Sequence, residues 1–181
     1  KSSLYARILH LEAKLNHLQY EFYVAEKKFE EAIQVYEGQE GINSLNRANV
    51  IEDLGQMHQK IGRLYKAEKL LNESFAIKEQ ILGRKNPAMC SALSSMADLM
   101  NNLELETEAI SLYEEALFLL PNELCYSRFH NTIQIARILR EQGKYKQSDS
   151  VVANLPDQSL FSHKPWFKQV QISSLLFSVR T

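Results

Sequence analysis

The side chains able to do covalent or metal chemistry are scattered along this chain. Five histidines, His10, His17, His58, His130 and His163, form no close ligand pair of the His-Glu-x-x-His kind, and none stands in a recognisable nucleophile arrangement. Cys90 and Cys125 lie 35 residues apart without metal-ligand spacing, so both read as small core residues of a protein from a reducing compartment. No glycine-rich phosphate loop occurs. Catalysis needs convergent titratable groups, and the sequence brings none together, so the expectation is a non-enzymatic protein without cofactor or metal. The remaining chemistry is recognition: amides and hydroxyls that can hydrogen-bond a peptide backbone, and Arg137 with Arg140, which could grip a carboxylate.

Composition narrows the class of partner. The 181 residues are 45% hydrophobic and 24% charged, which suits one globular domain or a short repeat array. A net charge of -1 provides no global basic field for nucleic acid or an anionic membrane. Apolar stretches such as Ser173 to Val179 fall short of the roughly 20 residues a membrane span requires. The chain starts at Lys1 without a signal-peptide pattern, and reads as a mature form or a piece of something longer. The expected location is cytoplasmic; the alternative is mitochondrial or another organelle, with the targeting segment absent from this chain.

The elements that must position these groups are helices. With 6 Gly and 4 Pro, and apolar residues recurring at spacings of three and four, the chain reads as all-α. Breaks at Gly38/Gly41, Gly62, Gly83/Pro87, Asn101 to Glu104, Pro121, Gly143 and Pro156 to Pro165 cut it into about nine helices. Leu54-Gly55 aligns with Met96-Ala97 at an interval of 42, which sets Ala67 on Ala109, Leu71 on Tyr113, Ser74 on Ala116 and Ile51 on Leu93. The backward register sets Ala32 on Ala67 at an interval of 35, and the forward one sets Ala109 on Ser148 at 39. A fixed period of helix pairs marks stacked repeats, each unable to bury its own apolar face.

In this register the chain resembles the tetratricopeptide repeat family, whose pattern places a large residue, Leu-Gly and an aromatic in the first helix, then Ala, an aromatic and Ala in the second, and a closing Pro. Leu93, Met96, Ala97, Met100, Ala109, Tyr113, Ala116 and Pro121 hold those places in one unit; Ile51, Leu54, Gly55, His58, Ala67, Leu71 and Ser74 hold them in the one before. The stretch from Ala67 to Leu99 is similar to the kinesin light chain type of repeat: Leu82-Gly83 ends one helix, and Asn86-Pro87 stands where that type has His-Pro. Gly83 can adopt the left-handed helix-ending conformation, while Asn86 and Pro87 suit the cap and first-turn positions of the next helix. The resemblance implies a right-handed α-solenoid of about four helix pairs plus a C-terminal helix. Its units are about 1–44, 45–86, 87–123 and 124–155, with a linker and capping helix over 156–181.

At the start, Leu4, Ile8, Leu11, Leu15, Leu18 and Phe22 follow a heptad spacing of 4, 3, 4, 3 and 4. Because this seam runs into the repeat at Ala25 without a linker, the expectation is a long first helix packed on the next through Phe29, Ala32 and Tyr36. A remnant coiled coil is the alternative, since kinesin light chains carry a heptad region before their repeats.

In such a solenoid the first helix of every pair lines the concave surface, at positions spaced 3, 4 and 3. The register selects Lys14, His17, Glu21 and Val24; Asn49, Glu52, Gln56 and Gln59; Ser91, Ser94, Asp98 and Asn101; and His130, Ile133, Arg137 and Arg140. The partner-binding set expected from these is Asn49, Gln56, Gln59, Ser94, Asp98, Asn101, Arg137 and Arg140, with Trp166 and Phe167 as a terminal docking point. Glu52 and Gln56 stand where chaperone-clamping relatives place Lys and Asn, which argues against that activity. Glu52 and Asp98 in mid-groove weaken the analogy with kinesin light chains, known for basic grooves that take acidic, tryptophan-containing peptides. The expected function is an adaptor or scaffold that binds an extended peptide or partner subunit in the concave groove, without nucleic acid or membrane insertion. The alternative is a structural or assembly subunit of a large complex, mitochondrial or ciliary, working through convex and terminal surfaces.

Overall fold

The computed structural model describes residues 2–120, 126–153 and 155, and over these it contains eight α-helices and no strand. They follow as α1 (Ser3–Leu18), α2 (Phe22–Glu40), α3 (Leu45–Lys60), α4 (Leu64–Leu82), α5 (Cys90–Asn102), α6 (Glu106–Leu119), α7 (Tyr126–Glu141) and α8 (Tyr145–Ala153), with a 3-10 turn at Pro87–Met89 before α5. Successive helices pack antiparallel in pairs, and each pair stacks on the next through its second helix: α2 on α3, α4 on α5, α6 on α7. The helix expected near the C-terminus, with Trp166 and Phe167, lies outside the described residues.

The turn inside each pair is the same device four times. Tyr20, Gly62, Glu104 and Gly143 adopt positive φ of 64°, 77°, 62° and 73°. The amide of the following residue reaches back to the helix: Glu21 N–H to Asn16 O, Arg63 to His58, Leu105 to Met100 and Lys144 to Leu139, at 2.8–2.9 Å. This Schellman closure satisfies carbonyls that the helix end leaves open. The four turn residues are 42, 42 and 39 apart, which corrects the backward register: Ala25, not Ala32, is the counterpart of Ala67, and Ala32 matches Ser74. The α1 turn carries no glycine or proline, so nothing punctuated the sequence there, and the expected long first helix instead ends at Leu18.

Helix starts between pairs follow their caps. Ser44 Oγ accepts from Arg47 N–H at 3.1 Å, and Asn86 Oδ1 accepts from Ala88 N–H at 2.9 Å with Pro87 in the first turn.

Small residues let the paired backbones approach. Ala13, Gly55, Ala97 and Ala136 occupy one first-helix position, and a Cβ at Gly55 would stand 2.9 Å from Leu71 Cγ and Cδ2. Opposite them Phe29, Leu71 and Tyr113 are almost wholly buried, each worth about 1.5–3 kcal/mol for its removal from water. Where alanine is replaced by serine, the hydroxyl crosses the pair: Ser74 Oγ donates to Ala48 O at 2.8 Å and Ser148 Oγ to Ala136 O at 3.0 Å. A buried hydroxyl without such a bond would cost stability.

The heptad seam is not the packing face of α1. Ala6, Leu9 and Ala13 are buried among α2 residues Ala25, Phe29 and Ala32, whereas Leu4, Ile8, Leu11, Leu15 and Leu18 are exposed. The expected contacts of Phe29, Ala32 and Tyr36 belong to the buried face of α2.

Candidate functional site

The first helices line a groove of about 520 Å³. Its walls are His17 of α1; Gln56, Gln59 and Lys60 of α3; Ser91, Ser94, Ser95, Asp98, Asn101 and Asn102 of α5; and Tyr126, Ser127, His130, Asn131, Gln134 and Arg137 of α7. Repetition explains the convergence. Gln59 and Asn101 are 42 apart, as are Lys60 and Asn102, so consecutive pairs present equivalent positions side by side.

Six of the eight expected residues meet here: Gln56, Gln59, Ser94, Asp98, Asn101 and Arg137. Asn49 lies instead in a second hollow at the α1 end, beside Leu4, Arg7, His10, Leu11, Tyr36 and Asn46. Arg140 is not among the groove residues; it turns to α8 and donates to Asp149 Oδ1 at 3.2 Å. The period makes Arg140 the counterpart of Asn101 and Gln59, which do line the wall, so its position on the helix is not the cause; its guanidinium is engaged by Asp149 of α8 instead. The expected arginine pair is therefore a single arginine. In the first unit only His17 of the four expected positions lines the groove; Glu21 and Val24 fall at the turn and the first residues of α2, a consequence of the misplaced register.

Glu52 is a second departure. It is not a groove charge but a buried carboxylate, bound by Lys78 Nζ of α4 and accepting from Ser95 Oγ at 2.9 Å. Gln56 Nε2 donates to Ser95 Oγ at 2.7 Å, so this network runs from the pair's interior to the groove wall. Asp98 is occupied as well. It accepts from the Tyr113 hydroxyl and lies 3.3 Å from His130 Nε2. Burial, with the Asp98 charge, pushes the Tyr113 phenol far above its ordinary range, so it stays a donor.

The cations are differently placed. Arg137 makes no hydrogen bond or ion pair with any described residue, and its buried Nε is unpartnered. Beside it Asn131 is fully buried, with both amide atoms unpartnered among the described residues. Among those residues Lys60 is held only by the Tyr20 ring, 5.7 Å from its centroid. His17 keeps a buried Nε2 that is likewise unpartnered; burial, reinforced by the Lys60 charge, lowers its pKa. With Glu52 paired to Lys78, the groove carries, among the described residues, two cations without an ion-pair partner, Lys60 and Arg137, and one carboxylate already bonded, Asp98.

Sequence reasoning missed Lys60, Ser95, Asn102, Tyr126, Ser127, Asn131 and Gln134. Ser95 and Gln134 form a row one residue C-terminal to Ser94 and Ile133, and applying the 42- and 39-residue periods to both rows finds it. Among the described residues, no group of three or more His, Cys, Asp or Glu could hold a metal ion, and no helix is long and apolar enough to cross a membrane.

The tetratricopeptide repeat family profile matches residues 4–80 and 47–121. No curated protein sequence matches. Among solved structures, BtubC (BKLC) from P. vanneervenii superposes with a TM-score of 0.72 at 14% identity; the match covers 93% of this chain but 64% of that one. A Podosopora anserina protein described as a putative kinesin light chain with nearly identical tetratricopeptide-like repeats gives 0.74 at 17% identity, covering 94% of this chain and 84% of that one. A variant of the same Podosopora anserina protein gives 0.71 at 17% identity, covering 91% and 81%. The profile spans more than half of the sequence and the superposition nearly all of it, so the chain belongs to the tetratricopeptide repeat family, with the fold seen in kinesin light chain-like repeats.

Proposed function

We propose that the chain is a non-catalytic adaptor or scaffold whose concave groove holds an extended segment of a protein partner carrying an acidic side chain. Tetratricopeptide repeats mediate protein–protein interaction, and the observation that carries the finer reading is Arg137. It lines the groove with no carboxylate partner among the described residues, so its guanidinium is available for a bidentate bond. Gln59, Asn101 and Gln134 supply side-chain amides to peptide N–H and C=O groups. The exchange of Glu52 from groove to interior removes the negative charge that would have opposed an acidic segment.

Groove binding of this kind gathers several modest contacts, and a Kd in the micromolar range, on the order of −8 kcal/mol, is expected. The test is capture of partners by the purified chain, comparing wild type with Arg137→Glu and with Arg140→Glu, each checked by circular dichroism. Selective loss of a partner with Arg137→Glu, and its retention with Arg140→Glu, supports the groove. Equal retention by both variants overturns it.

A further inference from the structure

Helix α1 has two apolar faces. Ala6, Leu9 and Ala13 lie on α2, and the opposite side carries five large exposed residues, Leu4, Ile8, Leu11, Leu15 and Leu18. A helix apolar on both sides is normally covered on both.

The periods of 42 and 39 show which of these residues the fold itself would cover. Ile8 corresponds to Val50, Ala92 and Asn131, and Leu15 to Met57, Leu99 and Ile138, all of them buried. There the second helix of the preceding pair covers them, as Ala25 and Phe29 of α2 cover Val50 and Met57. In α1, Ile8 and Leu15 are 46% and 58% exposed.

Leu4, Leu11 and Leu18 belong to a different row. The counterparts of Leu11 are Asp53, Ser95 and Gln134, and those of Leu18 are Lys60, Asn102 and Glu141, all polar. A further repeat stacked on α1 would cover Ile8 and Leu15 and leave these leucines in water on the concave side. Covering both rows needs a helix seated along the seam between them, and spacings of 4, 3, 4 and 3 are the knobs-into-holes pattern of a two-stranded coiled coil.

Heptad positions then name the partner. Ile8 and Leu15 fall at a and the other leucines at d, while Arg7 and Lys14 fall at g and Glu12 at e. Two parallel copies of α1 set Arg7 against Glu12 of the second copy, twice by symmetry, whereas an antiparallel pair sets Arg7 against Lys14. Glu12 is half exposed and, among the described residues, held only by Lys28 at 2.9 Å, so it can accept a second cation. We infer that α1 is a homodimerisation helix, packing parallel and two-fold symmetrically on α1 of a second copy through Leu4, Ile8, Leu11, Leu15 and Leu18. A seam under three heptads is too short to fold in isolation, but α1 is already held helical by α2.

The test is sedimentation equilibrium of the full 181-residue chain, beside Leu11→Glu/Leu15→Glu. The wild type is expected to be a dimer in the micromolar range. The variant is expected to dissociate at least about a hundredfold more readily, with an unchanged circular dichroism spectrum, since both positions are exposed. A second measurement is independent of stability: Leu11→Cys, with Cys125 replaced by serine and Cys90 buried, should form a symmetric intermolecular disulfide on oxidation. A monomeric wild type, a dimer that survives the double variant, or failure of Leu11→Cys to cross-link overturns the inference.

Discussion

Lys78 on α4 and Glu52 on α3 form an ion pair inside the second helix pair, their side chains 5% and 6% exposed. The interaction closes α3 onto α4 while Ser95 of the next pair donates to the same carboxylate, tying two repeats together.

Lys78→Met is expected to leave an uncompensated buried carboxylate and to cost about 3–5 kcal/mol in urea unfolding. The double variant Glu52→Gln/Lys78→Met removes both charges while keeping an acceptor for Ser95. It should regain most of that loss; if it is no more stable than the single variant, the pair is not what holds α3 to α4.

Glu104 takes φ of 62° in the turn between α5 and α6 and is exposed. Side chains other than glycine pay roughly 1 kcal/mol or more in that region, so Glu104→Gly should stabilise the chain by about 1 kcal/mol, less the entropy glycine adds to the unfolded chain. Thermal unfolding reads the sign directly.

Gly55 faces Leu71 at the tightest approach of α3 and α4. Gly55→Val should lower stability by about 1–3 kcal/mol, because the added branch meets a buried leucine that has no free space to move into. An unchanged melting temperature would show that α3 and α4 can separate without cost.

Burial lowers the pKa of His58 from 6.5, against the opposing charge of Glu26, and burial with Lys60 lowers that of His17. The unfolded chain therefore binds protons at a pH where the folded chain resists them. Stability from these two groups is complete above about pH 6.5 and is lost as pH falls below it. Denaturant midpoints at pH 7.5 and 5.5 should differ in that direction, and the difference should shrink in His58→Leu.

Helical class, the 42-residue period and the small-residue ladder were legible because each depends on local spacing. Gly62 and Gly143 punctuated the sequence, and Leu82-Gly83 with Asn86-Pro87 marked a repeat boundary. The first turn was not legible, since Tyr20 takes the left-handed conformation that glycine usually signals, and that single omission shifted the register of the whole first unit.

Sequence by itself determined which positions recur, and so brought Gln56, Gln59, Ser94, Asp98, Asn101 and Arg137 onto one wall before any coordinate was known. Tertiary structure alone decided which of the polar groups around them are already partnered. A glutamate and a lysine 26 residues apart become a neutral buried pair only when α3 and α4 pack, which takes Glu52 out of the groove. Arg140 of α7 is drawn away by Asp149 of α8, while Arg137 finds no carboxylate among the described residues. Periodicity names the face of a helix; which charges on that face are already satisfied depends on side chains far away in sequence, and only packing brings those together.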